Sequence, residues 1–249
     1  MREKHKKHKR NLLLVFIAVF ALTMSLFAAC GGDKSPADKA DGETAAQEES
    51  PAREDTVTGS VMLAAAASLE NAFVEELIPL FNEEHPNVEI TGTYDSSGKL
   101  QEQIEGGLGA TVFFSAATKQ MNALVDGGFV GAEDVVHLLE NEIVLITSAN
   151  SGTTVASFED IANAASIAVG DPASVPAGQY AQEALTSLGL WERVSAGASF
   201  GSNVTEVLNW VAEGSAEVGV VYATDAASMP DKIRTIAAAP AGSLKTPII

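Results

Sequence analysis

Along residues 59–226 the apolar positions change period repeatedly, from runs that are solidly apolar or alternate by two to stretches where they recur every three or four residues. The first kind marks strands and the second marks helices. SVMLAAAAS (60–68) is an apolar run, after which Leu69, Phe73, Leu77, Leu80 and Phe81 recur at helical spacing up to Pro86, so a strand followed by a helix is predicted. VEITGTY (88–94) alternates as a strand, SSGKLQEQIEGG (96–107) opens a helix, and VFFSAA (112–117) is a third apolar run. The rhythm continues with a helix around 119–126, a strand at 141–149, a helix around 158–164, a strand at 166–172 and a helix over 179–188. A strand near 195–200, a helix over 204–212 and the run EVGVVYATDA (217–226) follow. This alternation predicts an α/β protein with parallel pairing, and no repeat of fixed period is visible.

The beginning of the chain reads differently. Arg2, Lys4, Lys6, Lys7, Lys9 and Arg10 form a positive segment, residues 12–27 an apolar one, and Ala28-Ala29-Cys30-Gly31-Gly32 a small-residue processing site. That order is an export signal, although the apolar run is also long enough to span a bilayer as a permanent helix. The only cysteine sits at the junction, and the segment resembles a bacterial lipoprotein signal, with Phe27 where an aliphatic residue is commoner. The resemblance implies removal of residues 1–29 and lipidation of Cys30, which would hold the protein on the outer face of the cell membrane. Residues 30–57, rich in Ala, Asp, Glu, Ser and Lys with Pro36 and Pro51, are expected to form a disordered acidic tether.

Charge narrows the partners. The chain carries 15 Lys and Arg against 33 Asp and Glu, a net charge of −18. Without the basic leader it carries about −23, which argues against nucleic acid as a partner. With its cysteine committed to the anchor, the mature domain has no disulfide and must rely on a buried core, for which roughly 190 residues suffice.

The most informative stretch is GDPASVPAGQYAQEAL (170–185). Pro172 and Pro176 hold an extended loop, Gly178 lets backbone approach closely, and the residues from Gln179 onward have helical composition. Free amides near Ala177 and Gly178 should project from the first helical turn, with no charged side chain supplied for chemistry. This is a pattern for anion capture rather than catalysis.

Four segments, AAAASLENAF, SSGKLQEQIEGG, GDPASVPAGQYAQEALTSLGLW and GVVYATDA, together resemble the molybdate-binding proteins of ABC transporters, a branch of the type II periplasmic binding-protein superfamily. The similarity covers about residues 59–249, and GDPxxVPAGxYAxEAL followed by LGxW is its most specific part. It implies two lobes, each a mostly parallel sheet flanked by helices, with the ligand in the cleft between them. Residues 59–138 plus 224–249 would form the first lobe and 139–223 the second. The implied site holds a tetrahedral oxyanion through the hydroxyls and backbone amides of Ser68 and Ser97, the amides of Ala177 and Val204, and the hydroxyl of Tyr222. Molybdate or tungstate would be the ligand, delivered by hinge closure to a membrane permease. The receptor would be a monomer with no catalysis, no cofactor and no metal cation.

Two departures from the family pattern bear on the first lobe. Thr111 and Ala117 stand where the family carries acidic residues, which puts lobe packing or closure in question. Family members also continue through a further helical segment that packs on the first lobe, whereas this sequence stops at Ile249, so a less stable first lobe is expected.

Blander roles compete for the same residues. Ser68 and Ser97 fall where helix N-caps belong, Tyr222 follows an apolar strand as core tyrosines do, and Trp191 and Trp210 read as core. His85 and His137 are isolated and have no third ligand at metal spacing. Sulfate, phosphate or a small organic anion is the alternative ligand. A surface-anchored hydrolase is the remote alternative, for which no serine–histidine–acid set is apparent.

Overall fold

The computed structural model describes residues 57–248; the expected export signal, Cys30 and the expected tether up to residue 56 lie outside the described residues. β1 (Gly59–Ala66) runs into a 3₁₀ turn (Ala67–Leu69) and a helical stretch, α1, assembled from Glu70–Ala72, a π-helical turn Phe73–Leu77, and Ile78–Glu84. β2 (Val88–Asp95), α2 (Ser97–Glu105), β3 (Val112–Phe114) and α3 (Thr118–Asp126) follow. The strands form a three-stranded parallel sheet in the order β2-β1-β3. Thr111 extends that sheet, because its hydroxyl accepts from the Met62 N–H at 3.1 Å and its own N–H donates to the Met62 carbonyl at 2.8 Å. Ala117, the other departure from the family pattern, is buried and N-terminal to α3.

A second sheet begins with β4 (Ile143–Ser148) and continues with β5 (Ile167–Gly170), α4 (Pro176–Ser187), α5 (Trp191–Ser195) and β6 (Ala198–Gly201). It is completed by α6 (Val204–Ala212), β7 (Val218–Tyr222), α7 (Ala223–Ser228) and β8 (Ile233–Ala238). Its order is β6-β5-β7-β4-β8, with β5 parallel to both neighbours and β4 antiparallel to β7 and β8. The expected α/β architecture with two sheets is present.

Three local expectations are corrected. β8 hydrogen-bonds along β4, so the backbone of residues 233–238 belongs to the second sheet and not, as the assignment of 224–249 required, to the first lobe. Without β8 the outer edge of β4 would be left with unpaired N–H and C=O groups. The apolar run 217–226 is a strand only to Tyr222 and then turns into α7, while the helix around 158–164 is a single 3₁₀ turn, Ile161–Asn163. Beyond β8, Glu183 Oε1 accepts from the N–H groups of Lys245 and Thr246, and Tyr180 Oη donates to the Pro247 carbonyl at 2.9 Å.

The apolar core is unevenly shared. Around the second sheet Leu145, Ile146, Phe158, Ile161, Val169, Leu185, Val207 and Val220 are wholly buried, whereas Leu63, Leu100 and Leu124 are the large wholly or nearly wholly buried side chains on the first. On α1 the predicted apolar face is largely uncovered, with Leu77, Leu80 and Phe81 between 40 and 55 % exposed. Phe73 alone of that face stacks edge-on against Phe114, with ring centroids 5.0 Å apart. Trp191 and Trp210 pack at the rim of the core instead of inside it.

Candidate functional site

The C-terminal ends of β1, β3 and β7 and the N-terminal ends of α2, α4 and α6 meet between the two sheets, where open α/β folds present backbone amides to ligands. Ser68, Ser97, Ala177, Val204 and Tyr222 all line one cavity there, with Ser96 and Ala116 beside them. Its free volume is about 10 Å³, room for one water. The structure thus brings together the five residues that the sequence names as ligand contacts.

Each wall has a local cause. Ser68 lies in the 3₁₀ turn directly after β1, and Ser97 is the first residue of α2, so neither occupies the N-cap position of its turn or helix. Ser97 Oγ accepts from the Ala116 N–H at 3.0 Å, which leaves its own proton for an acceptor in the cavity. Tyr222 Oη donates to the Ala116 carbonyl at 3.1 Å, so both polar groups of that residue are gripped, one from each sheet.

The motif at 170–185 is explained by a close approach. A Cβ on Gly178 would stand 2.1 Å from the Gly170 carbonyl oxygen, so glycine at 178 lets α4 lie against the end of β5. Pro176 begins α4, and the amide of Ala177 falls in the first turn, where a helix has no acceptor of its own to offer. At α6, Asn203 Oδ1 caps the Glu206 N–H at 2.9 Å and Glu206 Oε2 accepts from the Ser202 N–H at 2.6 Å, which fixes the direction of the Val204 amide.

Sequence reasoning missed Ser96. It is buried against the cavity, and its hydroxyl has no hydrogen-bond partner in the protein. A doubled serine at a helix start was the available signal, because only one of the two can serve as cap.

No side chain lining the cavity carries a charge. Behind it Asp225 Oδ2 accepts from the Tyr222 N–H at 3.1 Å, and burial pushes this carboxyl up to about 7 although that bond pulls the other way. Burial, then Tyr180 and Asp225 nearby, hold the Tyr222 phenol well above its usual range, so it remains a donor. A wider groove of about 460 Å³, lined in part by Glu70, Tyr94, Asn209 and Trp210, shares Ala67 with the cavity. Among the described residues no three His, Cys, Asp or Glu side chains are grouped to hold a metal ion.

GASFG (197–201) fits the G-x-S-x-G pattern of hydrolase nucleophiles, but Ser199 lies within β6, paired to Ala168, and is exposed. A nucleophile elbow needs its serine on a strand-to-helix turn.

Residues 61–249 match the family described as bacterial extracellular solute-binding protein. The chain belongs to that family. Over 194 residues it is 37 % identical to the molybdate-binding protein ModA of Haemophilus influenzae, a match covering 76 % of this chain and 75 % of that one. It is 42 % identical over 167 residues to YvgL of Bacillus subtilis, provisionally named an ABC transporter substrate-binding lipoprotein; the match covers 67 % of this chain and 64 % of YvgL, a little under two thirds. Among solved structures, the substrate-binding domain of a provisionally assigned molybdenum ABC transporter from Clostridium difficile superposes with a TM-score of 0.56 at 35 % identity, covering 77 % of this chain and 82 % of that one. The fold of this solute-binding protein is the two-lobe type II periplasmic one.

Proposed function

We propose that this solute-binding protein captures molybdate or tungstate outside the cytoplasm and hands it to the permease of an ABC importer, with no bond made or broken. The convergence of Ser68, Ser97, Ala177, Val204 and Tyr222 on one cavity without a charged lining residue carries this reading. A dianion there is held by oriented neutral donors: the hydroxyls and amides of Ser68 and Ser97, the amides of Ala177 and Val204, and the hydroxyl of Tyr222, whose one proton turns from the Ala116 carbonyl to the anion. Ser96 Oγ, buried and without a protein partner, adds a further donor.

Neutral donors have a physical advantage. A lysine or arginine in a closed cleft would carry a large desolvation cost and would attract any abundant anion. Five to seven charge-assisted bonds at about 1.5–3 kcal/mol each sum to roughly 8–20 kcal/mol before ligand dehydration is subtracted. A cage set for the longer bonds of molybdate leaves sulfate underbonded, and unpaired buried donors are costly. Tungstate, nearly equal in size, is accepted.

The remaining parts follow the same reading. Cys30 is the lipidated residue, residues 30–57 tether a monomeric receptor to the membrane surface, and two lobes, 59–138 and 139–238, close on the anion by a hinge. Isothermal titration with molybdate, tungstate, sulfate and phosphate in turn tests it. Tight binding of the first two, with sulfate and phosphate at least about a hundredfold weaker, is expected; equal or tighter binding of sulfate or phosphate refutes the assignment. Turnover of an ester that is lost in Ser68→Ala would favour a hydrolase instead.

A further inference from the structure

The two lobes are joined next to the cavity by hydrogen bonds between protein groups. The Gly98 N–H, in the first turn of α2, donates to the Ser174 carbonyl, which precedes α4, at 2.9 Å. A Cβ at position 98 would lie 2.4 Å from that carbonyl oxygen and 2.7 Å from the Ser174 Cα, so the approach is open only to glycine. One of the amides that a helix start leaves unsatisfied is thereby used to hold the opposite lobe and is not directed at the cavity.

A second contact lies farther along α4. Gln120 of α3, 2 % exposed, directs its Nε2 at Oε1 of Gln179, 3.4 Å away. The other half of each amide, Gln120 Oε1 and Gln179 Nε2, is buried without a partner. An acceptor and a donor left over on facing amides are complementary, and a small rotation pairs them into a two-bond amide ring. Neither glutamine lines the cavity, and burial of both amides makes sense only when the lobes meet.

We infer that Gly98 with Ser174 and Gln120 with Gln179 form an inter-lobe latch that closes the cleft through protein–protein bonds and thereby sets the affinity of the neighbouring oxyanion site. The inference rests on the proposed binding function for its effect on affinity, while the latch itself is independent of which anion binds. A latch that favours the closed form over the open one raises apparent affinity in proportion to the population it adds. These are positioning residues: they act on the ligand only through the lobes they hold.

The Gly98 amide reports on the latch directly, since a helix offers that position no internal acceptor. Hydrogen exchange is measured on the full chain without added oxyanion, and then with molybdate. Protection of the Gly98 amide and of residues 174–179 before molybdate is added is expected. In Gly98→Ala, whose added methyl favours helix and wedges the lobes apart, and separately in Gln120→Ala, that protection in residues 174–179 falls. Molybdate dissociation then becomes about tenfold faster, with association changed less. Free exchange of both segments in the wild type until molybdate is added, or unchanged protection and dissociation in both variants, overturns the latch. If the wild type is protected yet binds no molybdate, the latch stands and the proposed ligand fails.

Discussion

Ser97 has the hydrogen-bond state that a ligand donor needs: its oxygen is committed to the Ala116 N–H, its proton is not, and the side chain is wholly buried at the cavity wall. Ser97→Ala removes that donor and the grip on Ala116 together, and oxyanion affinity is expected to weaken by about 1–3 kcal/mol. Calorimetry that finds the affinity unchanged takes Ser97 out of the site. Asp225 makes a different demand. In the folded protein its carboxyl keeps its proton up to about pH 7, and in the unfolded chain only to about pH 4. Between those values the folded state binds more protons, so stability is full below pH 4, falls as pH rises through 7, and levels off above, by about 4 kcal/mol at most. Asp225→Asn keeps an acceptor for the Tyr222 N–H and should flatten that part of the profile. A denaturation series in which wild type and variant decline in parallel would assign the slope to other groups. The hydroxyls and the tyrosine were legible in the sequence through the family pattern, because the motif carries them. Ser96 was not, since its claim rests on burial and on a missing partner, and Asp225 was not, since burial alone gives it its unusual proton affinity.

At the scale of elements, the contact of α4 with β5 controls the direction of the Ala177 amide. Gly178→Ala would force a methyl to within 2.1 Å of the Gly170 carbonyl oxygen, where the neighbour is backbone and cannot step aside. The expected cost is about 1–3 kcal/mol or more in stability, together with weaker oxyanion binding. Gly59→Ala, at a position with nothing within 4 Å, serves as the control and should change the melting temperature little. Equal melting temperatures for Gly178→Ala and wild type would show that the loop can shift. This contact also explains why the loop was readable: two glycines and two prolines at fixed spacing leave the backbone few alternatives. β1, β4, β5 and β7 were readable as apolar runs because their residues are buried in series, and β2 by its alternation. β8 was not. IRTIAA is short, carries Arg234 and borders Lys232, and its place is decided by the free edge of β4 far away in sequence. α7 was lost for a related reason, because EVGVVYATDA stays apolar across Tyr222 while Asp225, accepting from the Tyr222 N–H, turns the chain into a helix.

Over the whole molecule the site is shared between two sheets of unequal strength. The second has five strands and most of the wholly buried apolar side chains, the first has three strands and a helix whose leucines are half exposed. Ser68, Ser96, Ser97 and Ala116 come from the first, and Ala177, Val204 and Tyr222 from the second, so neither lobe alone completes a shell. With a net charge of −18 the protein repels anions at long range, and attraction comes only from dipoles at short range inside the cleft. That division of labour is the central claim, and anomalous diffraction at the molybdenum edge from crystals of the protein grown with molybdate tests it most directly. The account predicts one strong peak between Ser68, Ser97, Ala177, Val204 and Tyr222, within about 3–4 Å of their donors and with no lysine or arginine side chain in contact. A peak anywhere else, or one held by a basic side chain, would contradict it.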